Sequence, residues 1–197
     1  MFTGIVASAF IEAINREENG WILQVAAPQI APKVQLGDSV AIDGACLSVY
    51  NVEGTVLWFY VSPESIDKTI MRFYTQGTKV NIELPMQPTG YLGGHYVLGH
   101  VDATATVMNI IPGDKAWFFT ISIPEPFVKY VVYKGSVAIN GVSLTINQVV
   151  DQNIELCIIP ITIEKTNMSL LKENDMVNIE FDILAKYTEQ LLLKRDN

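Results

Sequence analysis

The chain has 197 residues, of which 49% are hydrophobic and 17% charged, with a net charge of -8 and a pI near 4.7. That balance supplies a packed core for one domain or two small ones and argues against a disordered chain. The acidity, with basic residues scattered and densest at Lys194-Arg195, argues against a surface for nucleic-acid phosphates or anionic membranes.

The opening "MFTGIVASAF" has no basic region and no long apolar stretch, so it does not read as a signal peptide. No apolar run approaches the roughly 20 residues a membrane helix needs. The two cysteines, Cys46 and Cys157, suggest neither a metal-ligand pair nor a disulfide framework. A soluble cytoplasmic protein with reduced thiols is expected. Short alternating runs follow: "SVAIDG", "VLWFYV" and "KVNIEL", then "WFFTISI", "SVAING" and "MVNIEF". They are separated by Gly, Asn, Asp and Pro, the pattern of small all-β barrels or sandwiches. Asp43-Gly44 and Asn140-Gly141 are tight-turn dipeptides, because both residue types tolerate positive φ. One helical segment is expected in each half, around Pro63–Phe73 and Ile161–Leu171. The tail Ile183–Lys194 has apolar residues at 183, 184, 187, 191 and 192, a helical stripe without a counterpart in the first half. Such a leftover amphipathic helix is a candidate oligomerisation element.

The phrase "GDSVAIDGACLSV" at Gly37–Val49 returns as "GSVAINGVSLTI" at Gly135–Ile146. Ser39 and Ser136, Asp43 and Asn140, Cys46 and Ser143, and "VNIEL" and "VNIEF" are each 97 residues apart. One register held over this span marks a tandem duplication. The division expected is 1–90, 91–181 and a tail 182–197, with the link near Pro88–Gly94. His95 and His100 are the two histidines, five residues apart. They fall on opposite faces of a straight strand, with Asp102 the one further ligand type nearby, so no metal site is expected. His95, after the Gly93-Gly94 turn, reads as structural.

The stretches "MFTGIV", "GDSVAIDGACLSV", "GGHYVLGHVDATATV", "YKGSVAINGVSLTI", "IIPITIEKTNM", "VNIEFD" and "LAKYTEQLL" span the whole chain. Taken together, the chain resembles the riboflavin synthase α-chain family. The resemblance implies two similar six-stranded Greek-key β-barrels and a C-terminal helix through which three chains form a homotrimer. It implies a transferase with no cofactor and no metal. In that reaction two molecules of 6,7-dimethyl-8-ribityllumazine exchange a four-carbon unit, yielding riboflavin and 5-amino-6-(ribitylamino)pyrimidinedione. Two related pockets for two copies of one substrate give the duplication a chemical reason, and facing barrels would come from neighbouring chains.

By the same resemblance the catalytic positions are His100, for proton handling, with Cys46, Ser143, Asp182 and Ser39. The first substrate site would use Phe2, Thr3, Gly4 and Ile5, whose tip would reach over the first barrel's ligand. Cys46, Leu47, Ser48, Val61, Ser62 and Ser65 would complete it. The second site would use Gly94, His95, Lys134, Ser143, Leu144, Thr145, Ile159, Pro160 and Thr162. Asn81, Lys134 and Asp182 match polar pocket rims. Ala45, Ser48, Tyr60 and the segment "IMRFY" depart from the family pattern, mostly on the ribityl side of the first unit. The rival reading is a lumazine- or flavin-binding protein without turnover. Such relatives lack the second-half histidine motif and the helix, whereas "GHVD" and "LAKYTEQLL" are present here.

Overall fold

The computed structural model describes residues 1–195 and consists of two closed six-stranded antiparallel barrels with a C-terminal helix. The first barrel contains β1 (Ala7–Glu17), β2 (Gly20–Ala26), β3 (Ser39–Ile42), β4 (Ala45–Glu53), β5 (Val56–Val61) and β6 (Lys79–Glu83). Its strands close in the order β1-β2-β5-β4-β3-β6. The second contains β7 (Ala103–Ile111), β8 (Trp117–Ser122), β9 (Ser136–Ile139), β10 (Val142–Val150), β11 (Asn153–Ile158) and β12 (Met176–Phe181). It closes as β7-β8-β11-β10-β9-β12, the same topology advanced by six strands. Bulges at Val49/Asn51 in β4 and Ile146/Gln148 in β10 bend these long strands around the closure. Every second strand residue points inward. Leu23, Val25, Leu57 and Phe59 fill the first interior, and Phe119, Ile121, Ile154 and Ile179 the second, each at most 1% exposed. Barrels of this size have interiors filled by side chains, so a ligand must bind outside them.

The single helix expected in each half is divided. Helix α1 (Pro63–Lys68) gives way to a 3-10 turn at Ile70–Phe73, and α2 (Pro160–Lys165) to one at Asn167–Leu170. The break falls at Thr69 and Thr166. Each is extended, at φ -125° and -120°, and its hydroxyl caps the turn that follows. The departing segment "IMRFY" is this turn, and it serves the seam between the barrels: Ile70 N–H donates to Asn178 Oδ1 at 2.8 Å. Asn167 N–H donates to Asn81 Oδ1 at the same distance.

The seam carries a pseudo-twofold. Asp43 and Asn140 have φ of 44° and 45°, as the hairpin turns β3–β4 and β9–β10 require. The glycines after them pack on each other, and a Cβ on Gly44 would lie 2.8 Å from Gly141 N. Asn81 Nδ2 donates to the Asn140 carbonyl and Asn178 Nδ2 to the Asp43 carbonyl. This corrects the placing of Asn81 at a pocket rim: it is 1% exposed, in the seam. One asymmetry stands out. Asp43 accepts from Tyr74 Oη at 2.5 Å, Asn81 N–H at 2.7 Å and Asn167 Nδ2 at 2.9 Å. Burial pushes its carboxyl up from 3.8 to about 7, against the pull of those donors.

Helix α3 (Ile183–Arg195) leaves the second barrel and folds back on it. Lys186 pairs with Asp102 at 2.6 Å, and Glu189 meets Lys129 and the Tyr130 hydroxyl. Leu184, Tyr187, Leu191 and Leu192 stay 57–70% exposed. Among the described residues no helix is long and apolar enough to cross a membrane.

Candidate functional site

With the barrel interiors filled, the chemistry-bearing residues collect on outer faces. Cys46 and Ser48 share one face of β4, and Ser39 sits directly across from Ser48 on β3. In the second barrel Ser143 and Thr145 share a face of β10, and Ser136 sits across from Thr145. A cavity of about 240 Å³ opens at the start of the first face. It is lined by Cys46 and Ala45, by Glu64, Ser65, Lys68 and Thr69 of the α1 segment, and by Gly99, His100 and Val101. The last three come from the second half of the chain.

That crossing is reciprocal. A strap at Phe2–Ile5 and another at Val97–Val101 meet at the pseudo-twofold, where Phe2 and Val97 exchange backbone hydrogen bonds. Gly99 O accepts from Cys46 N–H at 2.7 Å, and Gly4 O accepts from Ser143 N–H at 2.9 Å. Val101 packs on the first core and Val6 on the second. Gly4 and Gly99 have φ of 78° and 81°, and a Cβ on them would lie 2.5 Å from Ser143 Cβ and 2.6 Å from Cys46 Cβ. Only glycine allows so close an approach. The N-terminal tip was expected over the first barrel's ligand. Phe2 is buried against Cys46, and Thr3 is held by Glu83 of the first barrel. From Gly4 onward the strap lies on the second barrel, where Gly4 pairs with Ser143, and the first pocket takes a strap from Gly99–Val101.

The strap equivalence puts Ile5 where the first pocket has His100. The corresponding face at Ser143 receives the other histidine differently: His95 Nδ1 lies 2.7 Å from Ser143 Oγ, a direct hydrogen bond. His95 is 8% exposed, and its Nε2 is buried without a partner among the described residues. Burial pushes this imidazole below its usual range, opposed by the nearby Asp182 carboxylate. The place of His95 after the glycine pair suggests a structural residue and the family resemblance puts it in the second substrate site; its bond to Ser143 ties it to the candidate chemistry. Asp182 itself accepts from Leu184 N–H at 2.9 Å and lines a cavity under α3 with Ser136.

The remaining candidates divide. Ser62 caps α1 through Ser65 N–H, and the two hydroxyls lie 3.0 Å apart beside the first cavity. Ile159 is the N-cap residue of α2, with Pro160 next and Thr162 one turn in. Leu47, Val61 and Leu144 point into the cores, so any ligand contact there would go through backbone. Lys134 is exposed and donates to Asn147. Tyr60, a departure expected near the ribityl side, instead donates its hydroxyl to the Asn19 carbonyl on the β1–β2 hairpin. Sequence reasoning passed over Glu64, Lys68, Thr69 and the buried Glu83 and Glu180. The signal was available for three pairs: Lys68 and Lys165, Thr69 and Thr166, and Glu83 and Glu180 all recur 97 residues apart.

A model of the lumazine binding domain matches residues 3–85 and again 98–182. A riboflavin synthase of Photobacterium phosphoreum is 38% identical over 98% of this chain and 89% of its own length. One from Schizosaccharomyces pombe is 36% identical over 98% and 94%. The solved structure of LumP complexed with riboflavin superposes with a TM-score of 0.85 at 28% identity, over 92% of this chain and 99% of that one. With a domain match in each barrel and relatives of this identity over nearly its whole length, the chain belongs to the riboflavin synthase family of transferases.

Proposed function

We propose that the cavity over Cys46 and its counterpart over Ser143 each hold one 6,7-dimethyl-8-ribityllumazine, and that turnover needs both. The family reaction moves a four-carbon unit between two such molecules and releases riboflavin and 5-amino-6-(ribitylamino)pyrimidinedione. The observation that carries this reading is the first cavity. Cys46, Ser65 and His100, each nominated from sequence, line one space although they come from both halves of the chain. The structural relatives complexed with riboflavin and with 6,7-dimethyl-8-(1'-D-ribityl) lumazine support the ligand class.

The hard step is loss of a proton from the 7-methyl group of one lumazine, whose anion delocalises into the ring. The other lumazine is activated at C7 by a nucleophile, water or a residue. His100 handles protons at the first pocket. At the second, the Ser143 hydroxyl can pass its proton to the His95 imidazole as it attacks C7 or orients a water. Asp182 then balances the charge that forms on His95. Holding two substrates in opposed register is worth roughly 7–11 kcal/mol in well-oriented cases, so positioning supplies much of the acceleration.

The cavity of about 240 Å³ lies below the range that encloses a ligand of this size. In the proposed assembly a facing pocket from a neighbouring chain closes it. Three chains associate through α3, whose exposed Leu184, Tyr187, Leu191 and Leu192 support this role. The functional division is 1–90, 91–181 and 182–197, with each unit's strap serving the other's pocket. Free Cys46 and Cys157 fit work in the cytoplasm. Incubating the purified chain with 6,7-dimethyl-8-ribityllumazine tests the proposal. One riboflavin should appear for every two lumazines consumed, whereas saturable binding without flavin formation would favour a ligand-holding role instead.

A further inference from the structure

Glu83 and Glu180 are buried carboxylates, 8% and 3% exposed, with no part in the chemistry above. Burying such a group is costly unless hydrogen bonds replace its water. Each obtains them from a strap. Glu83 accepts from Thr3 N–H and Thr3 Oγ1, both at 2.7 Å, and from Gly4 N–H at 2.9 Å. Glu180 accepts from the N–H groups of Leu98, Gly99 and His100. Bonds from N–H to an ionised carboxylate are about twice as strong as neutral ones, so these fix the backbone of each strap firmly. Yet each strap then runs onto the other barrel, Gly99 to Cys46 and Gly4 to Ser143.

We propose that Glu83 and Glu180 are positioning residues that act across the chain: Glu180, on the second barrel, sets the shape of the first pocket, and Glu83, on the first barrel, sets that of the second. The two pockets are therefore not independent modules. Disturbing β12 displaces His100 over Cys46 while leaving the second barrel's own wall at Ser143 in place. Disturbing β6 does the converse. The catalytic consequence rests on the lumazine reading above; the mechanical coupling does not.

The two native thiols make the test. Cys46 lies in the first pocket and Cys157 on β11 of the second barrel, and both are partly accessible. Glutamine keeps one acceptor oxygen and turns an amide donor toward the strap N–H groups, so Glu180→Gln leaves at least one of them unpaired. Losing a bond to a charged group should loosen the strap enough to raise iodoacetamide alkylation of Cys46 roughly ten- to a hundredfold. Alkylation of Cys157, mapped by mass spectrometry in the same sample, should hold within about twofold, because its barrel stays closed. Glu83→Gln should give the mirror result by amide exchange: faster exchange at Ser143 N–H, with Cys46 N–H still protected. A role confined to each glutamate's own barrel predicts the reverse, with Cys157 accelerated by Glu180→Gln. That outcome overturns the proposal, as does an unchanged Cys46 rate or a larger Cys46 effect from Glu83→Gln. Should Glu180→Gln fail to fold, Glu180→Asp, which shortens the reach by one methylene, is scored by the same criteria. If the thiol pattern holds while the unaltered chain forms no riboflavin, the reaction assigned above falls and the coupling stands.

Discussion

The first pocket sets a histidine from a strap over a thiol, whereas the second sets an isoleucine from the equivalent strap over a serine and brings its histidine in from the linker. His100 and Ile5 occupy matching strap positions, as do Cys46 and Ser143 on β4 and β10. His95, bonded to Ser143, has no counterpart in the first half. Duplication supplied two equal cradles, and substitution at a few positions made them chemically different. That difference suits a reaction whose two substrate molecules are identical on entry and do different things afterwards.

Removing α3 by truncation after Asp182 should have the largest effect, since it takes away the proposed contact between chains. Mass in solution should fall from three chains to fewer and turnover should be lost, because the neighbour that closes each pocket is gone. A trimer that survives truncation would detach α3 from assembly. Next comes His100→Gln, which removes the proposed proton-transfer group from the first pocket alone. Steady-state rates should drop ~10²–10⁴-fold while riboflavin binding, measured in parallel, persists. An unaffected rate would leave the histidine bonded to Ser143 as the sole proton handler.

Cys46→Ser makes the first pocket resemble the second at one atom. Turnover should fall by about tenfold, equivalent to about 1.4 kcal/mol in the barrier, with folding and binding retained. Full activity would reduce the thiol to a piece of wall.

The smallest effect on catalysis, and a clear one on stability, is expected from Asp43→Asn, which copies Asn140 into the first half. Burial raises the Asp43 carboxyl from 3.8 to about 7, so the folded chain holds its proton more tightly than the unfolded chain does. Its contribution is complete below pH about 4 and fades as pH climbs through about 7. Denaturant titrations across this window should therefore show stability falling with rising pH, by on the order of a few kcal/mol, in the native chain. The variant should show a flatter profile. Asparagine can still accept from Asn81 N–H and Asn167 Nδ2, and can donate to the Tyr74 hydroxyl, so the fold should hold. Equal pH slopes in the two proteins would mean that Asp43 does not titrate in this range.

The sequence by itself determined the duplication, the strands and their turns. Alternating burial, Asp43-Gly44, Asn140-Gly141 and a register of 97 residues are local or periodic signals that survive without a third dimension. The helix at the tail was legible for the same reason, within a residue of its end. Only the tertiary structure decided which strap serves which pocket. The straps match at a spacing of 95 residues, not 97, and share only one glycine and one valine, Gly4/Gly99 and Val6/Val101, so the register that exposed the repeat slips there. Their placement depends on a carboxylate at one end of each half meeting backbone donors some 80 residues earlier. Backbone N–H groups carry no residue identity, so nothing in the string of letters announces that Glu180 holds His100. The same holds for His95 and Ser143, a bond spanning 48 residues. The composition of each pocket was written in the chain; the exchange of straps between pockets followed from closing two barrels around one seam.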